Sequence, residues 1–280
     1  MTDSRLVAGS TIVHGEALAT LRRLPDACAG LVYADPPFNT GSPRRATRTR
    51  AVADDTATRV GFAGRRYRTA VHPGDAYADT FDDYIDWLQP RVVESRRILA
   101  PHGSLYLHVD PRESHYCKVL LDSVFGRECF LNEVIWAYDY GARSTRRWPA
   151  KHDVILVYVR DPQRYHFDAS GIEREPYMAP RLQTPARAAR GKLPTDVWWR
   201  SIVGTSARER TGYPTQKPLA ILRRIVRASS RSGELVVDWC AGSGTTGVAA
   251  AESGRRFLLV DESAAAIAVQ RRRLPDAAVL

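Results

Sequence analysis

Residues 236–250 read "VVDWCAGSGTTGVAA". An apolar strand ends on Asp238, a glycine turn follows, and a run of small residues opens a helix. Gly242, Gly244 and Gly247 match the spacing GxGxxG, and Asp261 closes the next strand, "RFLLVDE". That pattern is close to a dinucleotide fingerprint. A tight turn with no ligand is the plain alternative. Two features argue against NAD. Asp238 stands directly before the loop, where a carboxylate is a poor neighbour for pyrophosphate and a better one for a cationic or polar head. Only one further strand follows, so the remaining βα units must lie upstream, in a rotated order.

The upstream chain supplies them. "STIVHGEALATLRRLPD" reads as a strand, a turn at Gly15 and a helix with Leu18, Leu21 and Leu24 on one face. "AGLVYA" is a buried strand. A long helix is expected over 79–103, capped by Asp79 or Thr80, interrupted at Pro90 and ended by "PHG". "SLYLHVD", "NEVIWAY" and "DVILVYV" are strands, and "HYCKVLLDSVFG" is a helix stopped by Gly126. "PLAILRRIVRASS" is a helix with Pro218 in its first turn, and "AAAIAVQRRR" is the last helix. Strands alternate with helices, so the expected fold is α/β: a mostly parallel twisted sheet with helices on both faces.

Two stretches depart from this alternation. Residues 41–77 are polar, arginine-rich and poor in large aliphatics, and are expected to form a mobile basic loop. Residues 161–212 show no long period and carry arginines with the pair Trp198–Trp199, and 162–208 within them form the second insertion. One catalytic domain over 1–280 with these two insertions is the expected organisation. The net charge of +10 and pI of about 9.7 favour a polyanionic partner, although an arginine-biased, merely soluble surface reads the same way. The four cysteines, Cys28, Cys117, Cys129 and Cys240, lie far apart, so neither a zinc site nor a disulfide framework is indicated. No apolar run is long enough for a bilayer and the start has no signal pattern, so a soluble cytoplasmic protein is expected.

"LVYADPPFNT" at 31–40 ends a buried strand on Asp35, then stiffens the chain with Pro36 and Pro37 before Phe38. DPPF upstream, "TQKP" at 215–218 and "DWCAGSGTTG" at 238–247 together resemble the β-class amino-methyltransferases of DNA, which methylate adenine N6 or cytosine N4. "IVHGEALATLRRLPDACAGLVYADPPFNTG", "GYPTQKPLAILRRIV" and "RRFLLVDESAAAIAVQRRR" are similar to that family's opening, middle and closing segments. The resemblance covers most of the chain outside 41–77 and 162–208. It departs at Cys240, where an aromatic is more usual, and at Glu16, where Asp is.

The resemblance implies a Rossmann-like methyltransferase fold in permuted order, with S-adenosylmethionine as cofactor and double-stranded DNA as partner. Its catalytic residues would be Asp35, Pro36, Pro37 and Phe38. Its cofactor residues would be Glu16, Ala17, Asp35, Thr215, Lys217, Pro218, Asp238, Cys240, Gly242, Ser243, Gly244, Thr245, Thr246 and Asp261, with Glu262 as the second choice for the ribose. No metal is expected. Residues 162–208 would form a target-recognition insertion and 41–77 a loop closing over DNA. A homodimer and a cognate restriction endonuclease are compatible partners.

The chemistry fits this assignment. An exocyclic amine is a poor nucleophile, because its lone pair is delocalised into the ring. Asp35 and a backbone carbonyl at Pro36 could accept its two N–H bonds, and Phe38 could stack the base. DPPF accompanies adenine in the family more often than cytosine, so adenine N6 leads. Cytosine N4, an RNA or protein-amide substrate, an NAD oxidoreductase and a non-catalytic DNA-binding module remain as alternatives.

Overall fold

A computed structural model describes residues 2–39, 44–54, 56–57, 59–60, 66–77, 81, 83–140 and 144–280. The first part of the chain forms α1 (Arg5–Ala8), β1 (Thr11–His14), α2 (Ala17–Leu21) and β2 (Ala29–Ala34). Then come β3 (Arg44–Ala53), β4 (Arg59–Val60), β5 (Arg66–Tyr77), α3 (Tyr84–Ile98), β6 (Leu99–Val109) and α4 (Ser114–Phe125). Next are β7 (Phe130–Ala137), β8 (His152–Val159), α5 (Pro185–Arg190), β9 (Val197–Trp199) and α6 (Leu219–Ser229). The chain closes with β10 (Leu235–Asp238), α7 (Thr245–Glu252), β11 (Arg256–Asp261), α8 (Ala264–Arg273) and β12 (Ala278–Val279).

Nine strands make one sheet in the order β12-β1-β11-β10-β2-β6-β8-β7-β9. All its pairings are parallel except those of β8, which runs against both β6 and β7. Side-chain alternation divides the core in two. Val32, Ala34, Leu105 and Leu107 pack with Leu88 and Val92 of α3 and Leu121 of α4. Leu31, Tyr33, Val236 and Leu259 pack with Leu222 and Ile225 of α6, Ala249 of α7 and Ile267 of α8. Helices therefore cover both faces, as the apolar strands require.

β10 and β2 lie side by side at the middle of the sheet, with Asp238 in register with Tyr33. From β10 the neighbours run to β11 and β1, and from β2 they run to β6 and β8. This reversal of strand order opens a crevice at the carboxyl ends of the two strands. Asp238 ends one strand and Asp35 follows the other. The alternation that turns Tyr33 toward α6, carried two residues on, turns Asp35 toward the residues that precede α6.

Several local expectations need correction. The stretch 41–77 is not a loop over its described residues. β3 and β5 pair antiparallel from Arg44↔Tyr77 to Ala53↔Tyr67, with β4 on the other side of β5. Arginine alternates with Thr, Ala and Val in "RRATRTRAVA", and that period of two suits a ladder whatever its polarity. Residues 40–43, 61–65 and 78–80 lie outside the described residues, and so do the proposed caps Asp79 and Thr80. The cap of α3 is Asp83, whose carboxylate accepts from the Asp86 amide at 3.0 Å. Pro90 does not end this helix, and the Trp87 carbonyl in the turn before it takes a bond from Arg91 Nη1 at 2.6 Å. "PHG" lies inside β6. Pro218 is the N-cap of α6 and precedes its first turn. The 162–208 stretch contributes α5 and the edge strand β9, where Trp198 is buried and Trp199 exposed. Among the described residues no helix is long and apolar enough to cross a membrane.

Candidate active site

The crevice is a cavity of about 1030 Å³. Its walls bring together, from the expected set, Ala17, Asp35, Pro36, Pro37, Phe38, Thr215, Lys217, Asp238, Cys240, Gly242, Ser243, Thr245, Thr246, Asp261 and the second-choice Glu262. Glu16, Pro218 and Gly244 do not line it. Glu16 is engaged elsewhere. Its carboxylate caps α2 through the Leu18 and Ala19 amides at 2.8 and 2.6 Å, and pairs with Arg91 at 2.6 Å. Burial would raise its pKa, but these contacts outweigh burial and hold it low.

Gly244 has φ +74°, and a Cβ there would stand 2.9 Å from Gln270 Cγ and 3.3 Å from Leu259 Cδ1. Its bare Cα therefore serves packing against α8 and β11. Gly242 has φ +49°, and its Cβ would meet the ring of Tyr213, another cavity residue, at 3.2 Å. The loop is clasped from behind. Gln270 Nε2 donates to the Gly242 carbonyl at 3.0 Å, and Arg273 Nη1 donates to the Ser243 carbonyl at 2.7 Å. Both come from the polar tail of α8, "VQRRR", which gave no sign of contact with the loop.

Three carboxylates meet at this edge. Asp238 is 2% exposed, with Oδ1 accepting from the Cys240 amide at 3.1 Å and Oδ2 from Thr246 Oγ1 at 2.6 Å. Burial pushes its pKa up to about 7 against those two bonds, and the charges of Asp35 and Asp261 push the same way. Asp261 accepts from the Gly242 amide at 2.7 Å and the Ser263 amide at 2.9 Å; burial still leaves its pKa raised. Asp35 Oδ2 is 2.7 Å from Lys217 Nζ, which lies 4.7 Å from the centre of the Phe38 ring. Asp35 Oδ1 is buried with no hydrogen-bond partner among the described residues.

The segment carrying Lys217 is held in an unusual form. Thr215 has φ +60°, which a β-branched residue rarely adopts. Next to it Gln216 is buried, accepting from the Thr211 amide and hydroxyl at 2.9 and 2.8 Å and donating to the Glu209 carbonyl at 2.7 Å. Asn39, also at positive φ, ends the DPPF turn. It donates to Glu113 at 3.0 Å and accepts from the Phe81 amide at 3.3 Å.

Behind Phe38 lies a buried polar chain. Tyr33 Oη is 2.8 Å from His108 Nδ1, His108 Nε2 is 3.1 Å from Asp153 Oδ2, and Tyr138 Oη donates to Asp153 Oδ1 at 2.9 Å. Burial would raise the pKa of Asp153, but the bond from His108, its charge, Lys217 and Tyr138 prevail and hold it low. The His108 ring stands 5.9 Å from that of Phe38. Sequence reading missed this chain and the aromatic wall of Phe81, Trp87 and Trp239. Only the adjacency of Tyr33 to DPPF hinted at it.

A glycine loop beside three carboxylates, at the strand-order reversal of a mostly parallel sheet, is the kind of arrangement by which α/β folds hold nucleotide-derived ligands. The DNA methylase family of N6 and N4 methyltransferases matches residues 29–270, and the chain belongs to it. It is similar to the DNA adenine methyltransferase YhdJ of Escherichia coli (strain K12), 29% identical over 272 residues, covering 94% of this chain and 82% of the relative. It is also similar to the type II methyltransferase M.HpaI of Haemophilus parainfluenzae, 26% identical, covering 97% and 74%. The M1.HpyAVI–SAM complex shares the fold, with TM-score 0.59 and 17% identity over 94% of this chain and 98% of that one. The chain is thus a DNA methyltransferase, and S-adenosylmethionine is its cofactor, as the resemblance implied.

Proposed function

We propose that the chain methylates adenine N6 in a base flipped out of duplex DNA, with Asp35–Phe38 as the reacting edge. The observation that carries this reading is Asp35. One oxygen is held by Lys217, and the other is a buried acceptor without a partner on the wall of the cavity that also contains the glycine loop. A bare buried carboxylate oxygen is costly unless a ligand donor completes it.

S-adenosylmethionine, when bound, supplies the electrophilic methyl group. The residues present suit it: Asp238 and Asp35 offer carboxylates to its cationic end, and Asp261 and Glu262 offer oxygens to its ribose. Asp35 Oδ1 accepts one N–H of the target amine and the Pro36 carbonyl accepts the other. The two prolines keep that carbonyl fixed and free. With both N–H bonds held, the nitrogen lone pair would be released from the ring to form the new N–C bond as the cofactor's S–C bond breaks, the cofactor leaving as its neutral thioether, and the proton the nitrogen then sheds would pass along its hydrogen bond to Asp35. Asp35 also stabilises the positive charge that grows on nitrogen. Phe38 stacks the base, and the Tyr33–His108–Asp153 chain keeps its ring in place. The 162–208 insertion reads the DNA sequence, and the basic 41–77 segment holds phosphates.

DPPF and the similarity to a DNA adenine methyltransferase favour adenine. Mass spectrometry of nucleosides from DNA treated with the pure enzyme tests it. N6-methyladenine is the expected product, and N4-methylcytosine would overturn the base assignment. The same reading makes the protein a cytoplasmic modification enzyme. A second copy of the chain and a cognate endonuclease are its candidate partners, the first to be sought by sedimentation of the pure chain.

A further inference from the structure

The connection from β7 to β8 leaves the sheet at the edge that carries Asp35, because β7 runs with β2 and β6 while β8 returns. Its arms belong to the cavity: Tyr138, Tyr140, Ala150 and Asp153 are on the wall. The Tyr138 amide donates to the Lys151 carbonyl at 3.0 Å and ties the arms together. Farther out, Ser144 Oγ accepts from the amides of Arg146 and Arg147 at 3.2 and 3.3 Å, which sets a turn. Trp148 follows, 94% exposed, with Pro149 behind it.

One exposed apolar side chain alone means little. This one differs in its setting. Trp136, Trp198 and Trp239 are buried in the core, and the exposed Trp199 is tied into the edge strand β9, whereas Trp148 lies outside any helix or strand. Trp148 gains nothing in the free protein, yet it sits on a turn held by hydrogen bonds. Two exposed arginines precede it, and Ala150, two residues on, is on the wall of the cavity proposed to receive the base. A base drawn out of a duplex leaves a gap of about 3.4 Å, one aromatic ring thick. The two bases that flanked it lose a stacking neighbour, the partner base loses its pair, and an unfilled gap lets the flipped base fall back into the helix.

We infer that Trp148 is the wedge that enters the duplex and fills this gap, with Arg146 and Arg147 on the flanking phosphates. This rests on the DNA-methylating reading above and adds a positioning residue outside the cavity. The indole stacks between the two bases that flank the gap, so it favours the flipped state without touching the reacting atoms. Bases stack on any aromatic face, so the contribution is independent of the identity of those two bases.

The test uses the 280-residue chain and two duplexes carrying the site revealed by sequencing methylated bases, one with adenine at the target for methylation and one with 2-aminopurine in its place for fluorescence. Trp148→Ala should bind the duplex, by anisotropy, within a few-fold of wild type. The fluorescence rise on binding should fall, and single-turnover methylation of a matched duplex should drop about tenfold or more. Trp148→Phe should restore most of both. A duplex whose target is mispaired, and so already loosened, should be methylated by Trp148→Ala at nearly the wild-type rate. Equal rates for both proteins on the matched duplex would overturn the wedge. So would an equal loss on matched and mispaired targets, or a loss that follows a shift from dimer to monomer in sedimentation. If wild type methylates no DNA, the functional reading itself has failed; if it does and Trp148→Ala matches it, only the wedge has.

Discussion

Lys217 Nζ contacts Asp35 Oδ2 at 2.7 Å while lying 4.7 Å from the centre of the Phe38 ring. One ammonium thus joins the "TQKP" and DPPF motifs from distant parts of the chain. It fixes which carboxylate oxygen is occupied and leaves Oδ1 as the oxygen without a partner. The pair is 11% and 16% exposed, so solvent screens it little.

This arrangement sharpens what Asp35→Asn should do. The amide keeps the shape, but its carbonyl will be claimed by the Lys217 ammonium. Its NH2 then takes the place of Oδ1 and opposes the N–H of the target amine, donor against donor. The negative charge is lost as well. Removing one preorganised electrostatic group costs on the order of 100- to 1000-fold in rate. A loss at least that large is expected in single-turnover transfer with DNA and cofactor saturating, with DNA affinity nearly kept. Near-normal rates would reduce DPPF to a stiff turn.

Asp238 should impose a pH dependence on the empty protein. Its folded pKa of about 7 lies above the ordinary 3.8, so the folded state holds a proton that the unfolded state has released. Stability is therefore fullest below about pH 4, falls as pH rises toward about 7, and stays lowered above. The raised pKa of Asp261 acts with the same sign. Asp238→Asn keeps both hydrogen bonds, because Thr246 Oγ1 can accept from the new NH2 while the Cys240 amide still donates to the oxygen. Thermal melts without cofactor should show the variant gaining on wild type as pH rises, the difference levelling off above about pH 7. Cofactor binding by calorimetry should weaken sharply. A pH-independent difference between the melts would show that Asp238 is not held protonated.

The strands, their apolar faces and both ligand motifs were legible because each is local. "LVYA" and "ELVVD" announce buried strands, and DPPF and GSGTTG carry their chemistry in consecutive residues. The pairing of Lys217 with Asp35 depends on β10 lying beside β2, which no local pattern states. The clasp of Gln270 and Arg273 on the glycine loop was hidden because polar residues at a helix end read as solvated. The 41–77 stretch was misread because low hydrophobicity was taken for lack of structure, although its period-two pattern suits paired strands.

Gly244 tests whether the loop's glycines face ligand or core. Valine there would need φ +74° and would drive its Cβ into Gln270 and Leu259. Strain and overpacking together should cost a few kcal/mol of fold stability. Gly244→Val should therefore melt early in the absence of any cofactor. Gly242→Ala points its Cβ at Tyr213 in the cavity. It should keep more of the stability and lose cofactor affinity. A Gly244→Val protein that melts like wild type but fails to bind cofactor would return Gly244 to the ligand side.

The two insertions should separate affinity from specificity. Arg44, Arg45 and Arg48 lie on β3, paired with β5 at the start of its ladder. If they neutralise phosphates, replacing all three with glutamine should weaken DNA binding and flatten its dependence on salt. Each lost contact should remove roughly 0.9 from the slope of log K against log salt. The modified sequence should not change, because phosphates carry no base identity. Substitutions within residues 181–200 should do the reverse. That stretch includes α5 and β9, which pairs with β7 at the edge of the sheet. There, overall affinity should fall modestly while methylation spreads to related sequences, as expected when contacts to base edges are lost. The measurement is affinity at several salt concentrations, together with sequencing of methylated bases for each variant. A triple-arginine variant that methylates new sequences, or a 181–200 variant that changes only the salt slope, would reverse the assignment of the two segments.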